Sequence, residues 1–241
     1  MTTLEVGPHI VHRFDQELQH IRDRVLAMGG LVEEQIANAL KALMEGNGEL
    51  GESVVIGDYQ VNAMEVSLDE ECTQILARRQ AVASDLRLIL AVEKAVTDLE
   101  RMGDEAEGIA RMAARLAGTD QLSSRQLNGI VHLGEMVSKM VHEALDAFAR
   151  LDVEAAIATA QQDTKIDREY DSTLRQLSTY MIEDPRNISK VLNVCWSARA
   201  LERIGDHAKN ICEYVVYLVK GKDVRHTTVE QMEEVVKGKR R

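Results

Sequence analysis

Aromatic side chains make up only 3% of the 241 residues and there are two prolines, a scarcity that belongs to long packed helices rather than to an aromatic-rich β fold. Cysteine is nearly absent too. Cys72, Cys195 and Cys212 show no CxxC spacing, so neither a disulfide framework nor a zinc site is read from them, and buried thiols in a reducing compartment are expected. No stretch approaches the ~20 apolar residues of a membrane span, and the N-terminus lacks a basic-then-apolar signal. A basic surplus is missing as well: 29 Lys and Arg face 40 Asp and Glu, a formal charge of −11, which argues against a general nucleic-acid binder. The sequence also has no glycine-rich phosphate loop and no nucleophile elbow.

What is present is repetition. LERMGDEAEGI, Leu99 to Ile109, returns 102 positions later as LERIGDHAKNI, Leu201 to Ile211, with seven of eleven residues identical. GGLVEEQIANALKAL, Gly29 to Leu43, matches GEMVSKMVHEALDAF, Gly134 to Phe148, at an offset of 105. Two repeats in the same order indicate two copies of one helical unit. Breaks near Glu45 to Gly51, Gln80 to Ser84, Gly118 to Ser124, Arg150 to Val153 and Asp184-Pro185 predict six helices, roughly 9–46, 50–79, 84–117, 123–150, 153–182 and 185–220.

The third and sixth helices carry apolar heptads. Ile89, Val96, Gly103 and Ala110 form one seam row with Val92, Leu99, Ala106 and Ala113; Val191, Ala198, Gly205, Cys212 and Val219 pair likewise with Val194, Leu201, Ala208 and Val215. Such seams build antiparallel bundles. Gly103 and Gly205, at mid-helix, predict close packing there, with approach of another backbone as the sharper expectation.

Each LER word stacks two carboxylates one turn apart, Glu100 over Asp104 and Glu202 over Asp206, on the shoulder of the apolar stripe. Folding each hairpin back on its turn sets Asp58 and Asn62 level with the first pair, and Asp163 and Asp167 level with the second. Oxygen donors alone, gathered from two helices, are hard-cation chemistry: Mg²⁺, Mn²⁺, Ca²⁺ or iron. Asn210 extends the second set where the first has Gly108, and Asp167 stands where the first has Asn62, so the C-terminal site is expected to bind more tightly. Most i,i+4 carboxylate pairs are merely solvated, and Glu65/Asp69 and Asp167/Asp171 are counted among those. His207, next to Asp206, is expected at the surface. Arg101 and Arg203 point away from the seam, toward surface ion pairs or a phosphorylated partner. KGKRR, Lys237 to Arg241, reads as a frayed tail. A bundle-type di-metal enzyme needs two Glu-x-x-His elements, and only Glu17/His20 has that spacing; a structural coiled-coil scaffold is the other alternative.

With both LER(M/I)GD words, the RRQ-x-x-x-SDLR turn at Arg78 to Arg87 and DAFARLD at Asp146 to Asp152 in this order, the chain resembles the PhoU family of phosphate-transport regulators over nearly its whole length. The resemblance implies an all-α fold of two pseudo-twofold-related three-helix bundles, 1–118 and 119–221, with a tail over 222–241. It implies metal clusters on (E/D)xxxD motifs, here Glu100/Asp104 and Glu202/Asp206. It also implies a cytoplasmic, commonly dimeric, non-enzymatic repressor of the phosphate regulon, joining the ATP-binding subunit of the phosphate ABC transporter to the sensor histidine kinase PhoR. Asp85, Arg87 and Arg150 are candidate partner contacts by the same resemblance; capping and a surface ion pair explain them equally.

Overall fold

The computed structural model describes residues 9–78, 81, 84–117, 124–225 and 227–237. Helices α1 (His9–Glu45), α2 (Gly48–Gly57), α3 (Tyr59–Arg78) and α4 (Ser84–Leu116) form the first repeat; α5 (Ser124–Arg150), α6 (Val153–Ala160), α7 (Asp163–Glu183) and α8 (Ile188–Lys220) form the second. Among the described residues there is no strand. Two of the six helices predicted from sequence are broken, at Asp58 and at Gln161–Gln162. No proline announces either break. The chain stays right-handed, but Asp58 closes a tightened turn to Val61 and Gln162 one to Thr159. The middle of Arg78 to Arg87, most of Gly118 to Ser124 and the end of KGKRR lie outside the described residues.

The first turn of each repeat is built alike. Gly46 and its counterpart Leu151 both take a left-handed backbone, φ 62 and 53, and the next residue caps the following helix. Asn47 accepts from Leu50 N, and Asp152 from Glu154 N and Ala155 N. The first repeat places glycine where the left-handed backbone is free of strain; the second tolerates leucine there.

The heptad rows form the core. Every seam position named on α4 is buried, and so is every one on α8 except Val219, which is 45% exposed in the last turn of that helix. In each repeat the long helices pack as a three-helix bundle, with α1 and α5 against α4 and α8. The bundles then join through a pseudo-twofold. A Cβ on Gly29 would sit 2.8 Å from Leu145 Cδ2, and one on Gly134 equally 2.8 Å from Leu40. The duplicated Gly and Leu of one repeat each fill the complementary position of the other, a reciprocal knob-into-hole. Helices α4 and α8 run antiparallel, because Glu105 meets Arg203 while Asp98 meets Asn210.

Backbone approach occurs at neither heptad glycine. A Cβ on Gly103 would meet the side chains of Gln35, Asp58 and Val61, and one on Gly205 only Ile166. It occurs at Gly51, whose Cβ would lie 2.7 Å from the Ala110 carbonyl oxygen. The segment after α8 is not simply a tail. Gly221 ends α8 with φ 68, a capping box at Thr228 starts α9 (Val229–Val236), and Met232 is fully buried where α9 packs on α6.

Candidate metal centres

At the N-terminal patch the broken helix delivers its acid inward. Asp58 sits between α2 and α3, 6% exposed, and accepts from Gln35 Nε2 at 3.1 Å and Asn62 Nδ2 at 3.0 Å. The bare Cα of Gly103 leaves room for this group, since an added Cβ would stand 3.2 Å from Asp58 Oδ1. Glu100 and Asp104 come up beside it from α4. Partial burial pushes both carboxyls above their ordinary range, helped for Glu100 by Asp104, Glu65 and Asp58 and for Asp104 by Asp58 and Glu107. Glu65 and Asp69, read from sequence as a solvated pair, belong here: burial raises both, and Asp69 and Asp104 raise Glu65 further. Spacing along α3 was the available signal, since Asp58, Asn62, Glu65 and Asp69 follow the helical period. The buried Oδ1 atoms of Asn62 and Asp69 and Oε1 of Gln35 have no hydrogen-bond partner among the described residues.

The C-terminal patch uses equivalent positions differently. Asp163 opens α7 just after the second break, 7% exposed, and receives the Lys209 ammonium. Glu202 is held by Arg199 at 2.6 Å. Asp167 and Asp206 are exposed but not independent: partial burial and then Asp163 raise both. Asp163 Oδ1 and Glu202 Oε2 are buried without a partner among the described residues. Asn210 does not extend this set. Its Nδ2 donates to Asp98 of α4 at 3.1 Å, because a row at four-residue spacing drifts ~40° per step and reaches the inter-repeat seam by its third member. Of the two differences that favoured the C-terminal site, Asp167 for Asn62 remains and Asn210 for Gly108 is lost, while Lys209 and Arg199 already pair with its carboxylates.

His207 is likewise not at the surface. It is 8% exposed with Nδ1 2.7 Å from Asp98 Oδ1, while Tyr214 OH donates to Oδ2 at 2.6 Å. A hairpin gives each helix one neighbour; α8 has a further one, the α4 helix of the other repeat. Of the candidate partner contacts, Arg203 crosses the same seam to Glu105 at 3.0 Å and Arg101 is exposed. Arg150 pairs with Asp146 at 2.8 Å and stays 70% exposed. Asp85 lies in the first turn of α4 and accepts from Ser84 Oγ. Arg87 is half-buried, its guanidinium against Gly221.

Among the described residues no three His, Cys, Asp or Glu side chains converge closely enough to share an ion as they stand. The donor chemistry nonetheless fits a hard cation: oxygen atoms only, several orphaned, on carboxylates that repel one another.

A family profile described as "PhoU domain" matches residues 25–113 and 130–215, one span in each repeat. The chain is 53% identical over 232 residues, 96% of both chains, to the Pseudomonas aeruginosa PAO1 protein named "Phosphate-specific transport system accessory protein PhoU homolog". It is 43% identical over 239 residues to the Escherichia coli K12 accessory protein PhoU, covering 99% of this chain and 98% of that one. Among solved structures, PhoU from Pseudomonas aeruginosa superposes with a TM-score of 0.84 at 54% identity, over 87% of this chain and all of the other. The regulatory protein PhoU from Streptococcus pneumoniae gives 0.79 at 32%, over 88% and 99%. Matched in both repeats and along nearly its whole length, the chain belongs to the PhoU family.

Proposed function

We propose that this chain serves a phosphate-specific transport system as a negative regulator of the phosphate regulon, joining the transporter's ATP-binding subunit to the sensor histidine kinase PhoR from the cytoplasmic side. The chain is not an enzyme; its relatives carry the names of accessory and regulatory proteins. The observation that carries the reading is the 53% identity over 96% of a protein so named. No helix among the described residues is long and apolar enough to cross a membrane; in this reading the chain reaches the membrane only through its partner proteins. An adaptor needs exposed binding surface, and Ile188, Leu192 and Trp196, one turn apart along α8, supply an apolar row with Trp196 65% exposed. Homodimerisation belongs to the same reading.

Glu100, Asp104, Asp58 and Asn62 would hold a hard cation, Mg²⁺, Mn²⁺, Ca²⁺ or iron, in the first repeat, and Glu202, Asp206, Asp163 and Asp167 in the second. A bound cation would neutralise the carboxylates and tie α3 to α4 and α7 to α8, stabilising the fold. Pull-downs from cells grown with and without phosphate test the adaptor: kinase and transporter ATPase are expected, and absence of both under either condition overturns it. Thermal melts with and without Mn²⁺ test the metal. The wild-type midpoint should rise with Mn²⁺ and that of a Glu100→Ala, Asp104→Ala, Glu202→Ala, Asp206→Ala variant should not; equal shifts would sink the assignment.

A further inference from the structure

The two LER words differ most in charge, and the difference falls beside the patches. At the offset of 102, Lys209 replaces Glu107, His207 replaces Glu105 and Arg199 replaces Thr97. Each change makes the second repeat more positive. In the structure Lys209 Nζ donates to Asp163 Oδ2, and Arg199 to Glu202. The Asp163 side chain is only 9% exposed, with its other oxygen, Oδ1, buried and unpartnered among the described residues. Among the described residues Asp58, its counterpart, has only neutral donors, the amides of Gln35 and Asn62. Glu107 lies where Lys209 would be and adds negative charge beside Asp104, while itself pairing with Arg111. Arg101 acts on Glu100 and Glu65 through space.

Resting on the metal-binding reading above, we propose that Lys209 is a resident counterion of the C-terminal patch that competes with a divalent cation for Asp163, so the N-terminal patch fills first. An ammonium bonded to the most buried carboxylate must leave, or be endured at close range, before a second cation enters. The contact is sheltered, with the Lys209 side chain 28% and the Asp163 side chain 9% exposed. Among the described residues the N-terminal patch offers the cation the opposite setting, mutually repelling carboxylates with no ammonium bonded to Asp58. The LER word thus supplies the same pair of motif carboxylates twice, and the residue three positions after the second one sets which copy is open.

The test reads each patch alone on the full chain by titrating Mn²⁺ calorimetrically. Glu202→Gln with Asp206→Asn silences the C-terminal patch, and Glu100→Gln with Asp104→Asn the N-terminal one. The N-terminal patch should bind about tenfold or more tightly than the C-terminal one, a gap that narrows in high salt. Lys209→Met should tighten the C-terminal patch about tenfold, Lys209→Arg should leave it unchanged, and Glu107→Lys should weaken the N-terminal patch about tenfold. The Lys209→Arg and Glu107→Lys arms stand even if Lys209→Met fails to fold. Mn²⁺ binding that is equal at the two patches, or insensitive to charge at 107 and 209, overturns the counterion while leaving the metal reading intact. No binding at either patch removes both.

Discussion

Replacing Asp98 by Ala would strip the α4–α8 seam of a carboxylate that serves three donors at once. Asp98 is 3% exposed and takes the Tyr214 hydroxyl at 2.6 Å, Asn210 Nδ2 at 3.1 Å and the His207 ring at 2.7 Å. Asn210 is half-exposed and water can replace its partner, whereas His207 and Tyr214 are each 8% exposed and would be stranded. A buried donor left without an acceptor costs about 1–3 kcal/mol. Two such groups plus the lost charge-assisted bonds amount to about 3–5 kcal/mol, the range found when one partner of a buried charged contact is removed. In a chain of this size that lowers the melting temperature by about 10 °C. Urea unfolding followed by far-ultraviolet circular dichroism gives the free energy directly, and Asp98→Asn, which keeps one carbonyl acceptor, should lose about half as much. The position has no polar counterpart across the pseudo-twofold, where Ala200 stands. A loss below about 1 kcal/mol in Asp98→Ala would mean that apolar packing alone holds the seam and that the network contributes nothing net.

Gly51→Ala drives a Cβ to 2.7 Å from the Ala110 carbonyl oxygen and should cost about 2–3 kcal/mol in chemical denaturation, because backbone must shift. Gly30→Ala, with nothing within 4 Å of the new Cβ, should instead stabilise by up to ~1 kcal/mol through helix propensity; the opposite ordering would refute the packing argument. Burial pushes the Glu213 carboxyl up to about 7 against the pull of Lys209. A carboxyl raised in the fold stabilises it while protonated, fully below the unfolded value near 4.5, and loses that contribution as pH climbs through about 7. Glu213→Gln should therefore melt above wild type at pH 8, by no more than about 3 kcal/mol in stability, and no higher at pH 4.5; a gain confined to acid would contradict the shift.

Sequence by itself determined what depends on local periodicity and on duplication. The heptad rows fixed the buried faces of α4 and α8, the turn words placed most helix ends, and the repeat offsets matched Asp58 to Asp163 and Gly29 to Gly134. Those features are set within one helix or between copies, so a linear pattern carries them. Tertiary structure decided what depends on a third neighbour. Hairpin counting brings α3 to α4 and α7 to α8, but says nothing of the antiparallel contact of α4 with α8 that buries His207 and turns Asn210 away from the carboxylates. The breaks at Asp58 and Gln161–Gln162 carry weak signals: no proline marks either, Gly57 before Asp58 is a lone glycine inside a helical pattern, and nothing but glutamine marks the second; one tightened turn suffices to aim an acid inward. The proposed order of the two patches turns on the same kind of contact. Ligand types can be counted along a chain, but whether an ammonium such as Lys209 reaches Asp163 depends on which faces of two helices meet, and only packing fixes that.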